Sequence, residues 1–399
     1  MSNLFFSFYW LLSLFSIIGF GCINAGSVRE TNSLLQLTLT ITIFSISILI
    51  LWCLGFSLIY NDVDKYIGKI EFGPYINLLS LDYIKTPFNS GLTNHSFLFY
   101  HIILGAITQL IVIGTLAERV KPFILIIISL FLITIIYPVC SAWTWGGGWL
   151  YQLGYMDMTG TTTVCLLGGW SALTASIAIG PRINRFSKNN GLKLNSVTNN
   201  SLIGIGSIFL LFGWLGINNM PNVLINDNLN IMYSAISLLN TLISGSAAVF
   251  VCLITSLLFA KKLKLRKIIH SAIIGVISIS ADPLSPSPEI SLIIGALAGL
   301  ILYFFAYIID TVKIDDATGY IPVFLLGGIW STIAVCISNK NLDILIQVVG
   351  LTSFAVISII GISIIFAAVE TVLLARLATE QLDNKVRKSK LKKNFINYL

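Results

Sequence analysis

Asp157 and Asp316 open two stretches, DMTGTTTVCLLGG and DATGYIPVFLLGG, that share the pattern D-x-T-G-x-x-x-V-x-L-L-G-G and start 159 residues apart in a chain of 399. A carboxylate followed by a glycine and an apolar run does the chemistry of a helix start: the acid accepts hydrogen bonds from the free first-turn amides and complements the helix dipole. The other groups able to handle protons are sparse. His95, His101 and His270 are the three histidines, and Cys22, Cys53, Cys140, Cys165, Cys252 and Cys336 all fall in apolar runs. The cysteine spacing fits no metal site, so they read as small packing residues with free thiols. No Ser-His-Asp set, metal cluster or phosphate loop is visible, since GTLAER and GGGWLYQLG lack the phosphate-binding pattern. An enzyme and a cofactor are therefore not expected.

The elements that hold these residues must be membrane helices. Hydrophobic residues make up 56% of the chain, charged residues 10%, and the mean hydropathy is +0.89, which is far outside a soluble domain. Apolar runs near 4–24, 34–60, 97–117, 123–144, 158–180, 201–218, 232–260, 268–281, 287–309, 321–338 and 344–372 give eleven expected spans. The eighth is shortened by Asp282, Pro283, Pro286 and Pro288. With the N-terminus outside, 20 of the 24 Lys and Arg fall in loops and tail on the cytoplasmic side, leaving Lys65, Lys69, Lys85 and Lys340 outside. This asymmetry predicts N-out and C-in. The +7 net charge is then a topology signal, the basic tail over 373–399 is a solvated segment near anionic lipid, and nucleic acid is not a partner. The first apolar run has no basic residue before it, and Arg29 follows it, so it reads as an uncleaved helix.

In this topology the two motif copies enter the membrane from opposite faces. The repeat is inverted, with half-repeats at about 1–180 and 200–340, an eleventh helix outside them, and a transmembrane region ending near 372. Counting eight residues on from each Asp at about 1.5 Å per residue puts Cys165 and Phe324 about 12 Å deep from opposite faces, near a common midplane. The pairs Gly168-Gly169 and Gly327-Gly328 allow the two helices to approach closely.

The chain resembles the ammonium transporter and Rhesus protein family. The resemblance is carried by IIGFGCINAGSVRETN, GTLAERVKP, WTWGGGWL, DMTGTTTV, GWLGINN and VKIDDATG, in the family's order. It implies an all-α fold of eleven spans with a 5+5 inverted repeat, a homotrimer with one pore per subunit, ammonium or ammonia as substrate, and residence in the cell membrane. It also places pore positions. The paired histidines fall on Cys165 and Phe324, the outer phenylalanine gate on Leu104 and Ile217, and the recruiting serine on Pro221, while Trp145 and Asp157 keep the family's residue types. Trp145 is either a cation-π face for ammonium or an interfacial belt residue. His101, one turn before Leu104, is either a relocated polar group near the gate or a packing residue. Without the histidine pair the family's proton-handling step is expected to be altered, leaving a divergent channel or a non-conducting sensor or regulatory subunit. The tail lacks the acidic, Gly-containing pattern of the family, so a cytosolic regulator at the tail is expected to differ.

Overall fold

The structure, a computed structural model, describes residues 2–72, 94–182, 185–186, 199–220, 230–260 and 265–368, and among these the regular elements are all helices. In chain order they are α1 (Ser2–Gly26), α2 (Glu30–Tyr60), α3 (Asn94–Thr115), α4 (122–144), α5 (Thr161–Ile179), α6 (Asn200–Asn219), α7 (Asn230–Thr255), α8 (Leu265–Ile277), α9 (Pro288–Thr311), α10 (Ile321–Ser338) and α11 (Ile344–Ala368). Ten spans among the described residues are long and apolar enough to cross a bilayer. The exception is α8. Its 13 residues cover only about 20 Å against about 30 Å of hydrocarbon, because the chain leaves the helix at Ile277 for a buried turn ahead of the proline-rich stretch. The basic tail and Pro221 lie outside the described residues.

Burial sorts the helices. In α3, 89% of the apolar window is enclosed, against 28% in α9, so α3 lies within the bundle and α9 turns most of its surface outward. Exposed Leu34, Phe123 and Phe250 suit hydrocarbon as solvent, where backbone groups must be satisfied within the helices and apolar side chains face out.

The repeat is visible in contacts that exchange. A Cβ on Gly169 of α5 would lie 2.6 Å from Leu325 Cα of α10, and one on Gly328 of α10 would lie 3.2 Å from Cys165 Cβ and Leu166 Cγ of α5. Shifting by the motif's 159 residues carries Gly169 to Gly328 and Leu166 to Leu325, so each contact is the image of the other. The two spans run antiparallel, so the two-fold that exchanges them lies across them, in the plane of a membrane they cross. A second pair behaves likewise: α1 and α6 cross at Gly19 against Leu210 and Gly213 against Ser16. Both carry the pattern G-[FW]-x-[CG]-I-N, at 19–24 and 213–218. Asn24 Nδ2 donates to Leu110 O at 3.4 Å, and its counterpart Asn218 Nδ2 donates to Val276 O at 3.4 Å. Thus α3 maps onto α8. Glycine is required at the crossings because backbone occupies the space a side chain would need.

Single π turns interrupt α2 at Leu51–Gly55, α4 at Leu132–Ile136 and the start of α10 at Ile321–Leu325. A π turn inserts a residue and rotates everything beyond it, and such turns are frequent at functional sites.

Candidate functional site

On the Asp157 face, the chain enters α5 through Gly160, which has φ +71. Glycine takes this left-handed conformation without cost, and a Cβ there would strike the Trp145 ring and Leu104 Cδ1. The helix therefore begins at Thr161, not at Asp157, and the acid reaches forward instead. Its Oδ2 accepts from Thr163 N at 2.6 Å and Thr163 Oγ1 at 2.7 Å, while Trp145 Nε1 donates to Asp157 O at 2.9 Å. Burial pushes the Asp157 carboxyl up, and the hydrogen bonds from Thr162 and Thr163 oppose that push. Trp145 is buried, which removes the belt reading, since a belt residue faces the interface.

The later start corrects the depth count. Cys165 lies four residues into α5 and Phe324 four beyond Tyr320, where the helical turns leading into α10 begin, about 6 Å of rise each in place of the 12 Å counted from the acids, and the exchanging contacts Gly169–Leu325 and Gly328–Cys165 put both residues within one turn of the crossing of α5 and α10. What the structure does place is contact: Cys165 lies against Gly328, one turn past Phe324.

His101 has the richest surroundings. Its Nε2 is 2.9 Å from Tyr60 Oη and its Nδ1 is 2.8 Å from Tyr137 Oη. A neutral imidazole donates from one nitrogen and accepts at the other, so the chain Tyr60–His101–Tyr137 is satisfied without charge. Four rings surround it, with centroids of Tyr60 and Trp145 at 5.4 Å, Tyr137 at 5.9 Å and Tyr100 at 6.3 Å. Tyr100 Oη in turn donates to Thr159 O. The π turns explain the aim, since Tyr60 follows the one in α2 and Tyr137 is the first residue after the one in α4. Sequence reasoning missed these three tyrosines. The available signal was that a Tyr inside an apolar span needs a partner for its hydroxyl.

Phe324 lies in the α10 π turn and is fully enclosed. Phe20 stacks on it at 5.4 Å, Tyr320 meets it edge-on at 5.1 Å and Trp214 lies at 6.0 Å. Leu104 and Ile217 are both fully buried. His95 is exposed at the start of α3, and His270 sits against Gly319 on the other face.

On the Asp316 face the carboxylate repeats the role of Asp157, accepting from Gly319 N and Ile321 N, both at 2.7 Å. Gly319 has φ +81. Beside it the charges lock together: Arg182 makes a forked contact with Asp315, Nε at 2.8 Å and Nη2 at 2.9 Å, and also reaches Glu118 at 3.3 Å. Arg266 Nη2 holds the carbonyls of Ala317 and Thr318 and the Ser27 hydroxyl. These are scaffold contacts that fix the entrance to α10. All six cysteines are free, and no cluster of metal-binding side chains occurs among the described residues.

The profile of the Ammonium Transporter Family matches residues 4–390. A putative ammonium transporter of Synechocystis is 29% identical over 356 residues, covering 88% of this chain and 79% of its own. Among solved structures, a protein titled Sensor Amt Protein superposes with a TM-score of 0.83 at 25% identity, covering 92% of this chain and 93% of that one. Mep2 of Candida albicans gives 0.80 at 22% identity, with 94% and 85% covered. With nearly the whole sequence matched and the inverted pair of half-repeats present in the contacts, the chain belongs to the ammonium transporter family.

Proposed function

We propose that the protein is a slow, electroneutral channel for ammonia across the cell membrane, with His101 in its outer aromatic cluster and Cys165 and Phe324 in place of a paired-histidine line. What supports this reading is that Leu104, Ile217 and Phe324, which the family resemblance assigns to the pore, are fully enclosed apolar residues. A bare ion there loses hydration with little to replace it, at a cost of at least about 2.5 to 3.5 kcal/mol. A neutral molecule avoids that cost. Trp145 and the three tyrosines around His101 offer π faces that attract ammonium to the mouth, and Asp157 braces the Trp145 loop from behind. Uptake of labelled methylammonium by liposomes containing the protein tests this: uptake above empty liposomes is expected, and uptake equal to theirs contradicts it.

A second reading, a non-conducting sensor or regulatory subunit, is favoured by one feature. Phe324 is wedged among Phe20, Tyr320 and Trp214, which closes the apolar line, and one similar structure is titled a sensor. The proposed assembly is a homotrimer oriented N-out and C-in. A reporter fused after Lys393 is expected on the cytoplasmic side and one inserted near Asn61 outside, as the 20-to-4 charge split predicts; both on one side would contradict the eleven-span count, and the reverse placement the orientation.

A further inference from the structure

The two-fold correspondence reaches a residue that the family resemblance leaves without a role. On the Asp157 face Gly160 meets Leu104 of α3, and seven residues on Ile111 packs on Gly168. On the Asp316 face Gly319 meets His270 of α8, and seven residues on Ile277 packs on Gly327. The shift that carries Leu110 to Val276, fixed independently by the Asn24 and Asn218 hydrogen bonds, carries Leu104 to His270 and Ile111 to Ile277. His270 therefore stands at the position that Leu104 fills in the other half.

An imidazole in that slot has unused capacity. His270 is buried, only 6% exposed, and its Nε2 has no hydrogen-bond partner. A buried polar nitrogen is costly to leave unmade, and Leu104 shows that an aliphatic side chain suits the equivalent slot. Nearby groups are also incomplete. Tyr320, next to Gly319 in the chain, and Asn24 both flank Gly114, and Tyr320 Oη and Asn24 Oδ1 lack partners. Arg266, one turn before His270 on the same helix, is held by Ala317, Thr318 and Ser27. Its fixed positive charge disfavours a second cation beside it and favours a neutral solute.

We propose that His270 is the solute-binding group of the Asp316-side mouth, with Nε2 hydrogen-bonding neutral ammonia or methylamine. This rests on the protein being an ammonia channel. It adds a polar station on one side only, where the other side has Leu104.

The test uses full-length protein in lipid nanodiscs with ¹⁵N-labelled histidine; the chain has three histidines, and His270→Gln identifies the resonance by its loss. Ammonium chloride is expected to move the His270 Nε2 signal saturably while sodium chloride at equal ionic strength does not. A signal that ammonium leaves unmoved means a resident water or a packing residue, and overturns the proposal. In flux, His270→Leu, which copies the equivalent residue, is expected to lower maximal methylammonium uptake at least about fivefold, with His270→Gln within about twofold of native. Equal rates in all three folded proteins also overturn it. If the Leu variant does not fold, the resonance of the native protein decides. If the native protein carries no flux, the channel reading fails while the resonance still reports on this site.

Discussion

Replacing Cys165 and Phe324 together by histidine is expected to raise ammonium-dependent current by about seventyfold to about four-hundredfold. The lower bound on the penalty for an unpaired charge in the bilayer centre, about 2.5 to 3.5 kcal/mol, sets the scale, since about 1.4 kcal/mol is a tenfold change in rate. Two imidazoles supply hydrogen bonds and a proton acceptor where Phe324 supplies neither and a thiol only a weak donor. Histidine is smaller than the phenylalanine held by Phe20, Tyr320 and Trp214, whereas Cys165 is fully enclosed and packed on Gly328, so the gain requires that its neighbours give way to the larger imidazole. A native protein already giving large saturable ammonium currents would sink the mechanism. A folded double variant that stays silent would favour the closed, sensor-type pore.

The second large effect concerns stability. Asp315→Asn removes the fully enclosed charge that Arg182, whose guanidinium is 15% exposed, and Arg185 share, leaving Glu118 at 3.3 Å as the carboxylate paired with Arg182. Breaking a buried pair in this way costs about 3 to 5 kcal/mol, and the partial exposure of Arg182 places the expected loss near the lower figure. Acid should act through the same contact. Burial pushes the Asp315 carboxyl up, but the hydrogen bonds and charge of Arg182 outweigh it and hold the group below its ordinary value of 3.8. A group depressed on folding contributes stability that is fully present above its unfolded value and lost as pH falls through the folded one. Thermal unfolding of detergent-solubilised protein should therefore show the native midpoint falling below about pH 4 with Asp315→Asn less sensitive in that window. Equal midpoints for both proteins at neutral pH would contradict the account.

What the sequence made legible was set by solvent and symmetry. A bilayer demands long apolar runs, so ten spans could be read from composition, and the doubled Asp-Gly-Gly pattern pointed to the glycine crossings of α5 and α10. What escaped it has one physical origin, local departures from α-helical register. Gly160 and Gly319 take left-handed conformations that delay the starts of α5 and α10, which a count from the acids cannot anticipate. The π turns rotate Tyr60 and Tyr137 onto His101 and carry Phe324 into its aromatic cluster. A turn that depends on packing between helices leaves no period in a single strand of sequence. The short α8 was foreshadowed by its prolines, but its equivalence to α3 rests on the carbonyls of Leu110 and Val276, whose pairing with Asn24 and Asn218 only the fold displays.

The central claim is that a neutral molecule crosses. It is tested most directly by measuring labelled methylammonium uptake and transported charge on the same proteoliposomes, with a fixed inward gradient and the membrane potential clamped. The account predicts uptake above protein-free liposomes with well under one charge moved per molecule taken up, and no change in uptake rate when the clamped potential is reversed in sign. One charge per molecule, with a rate that follows the potential, would contradict it.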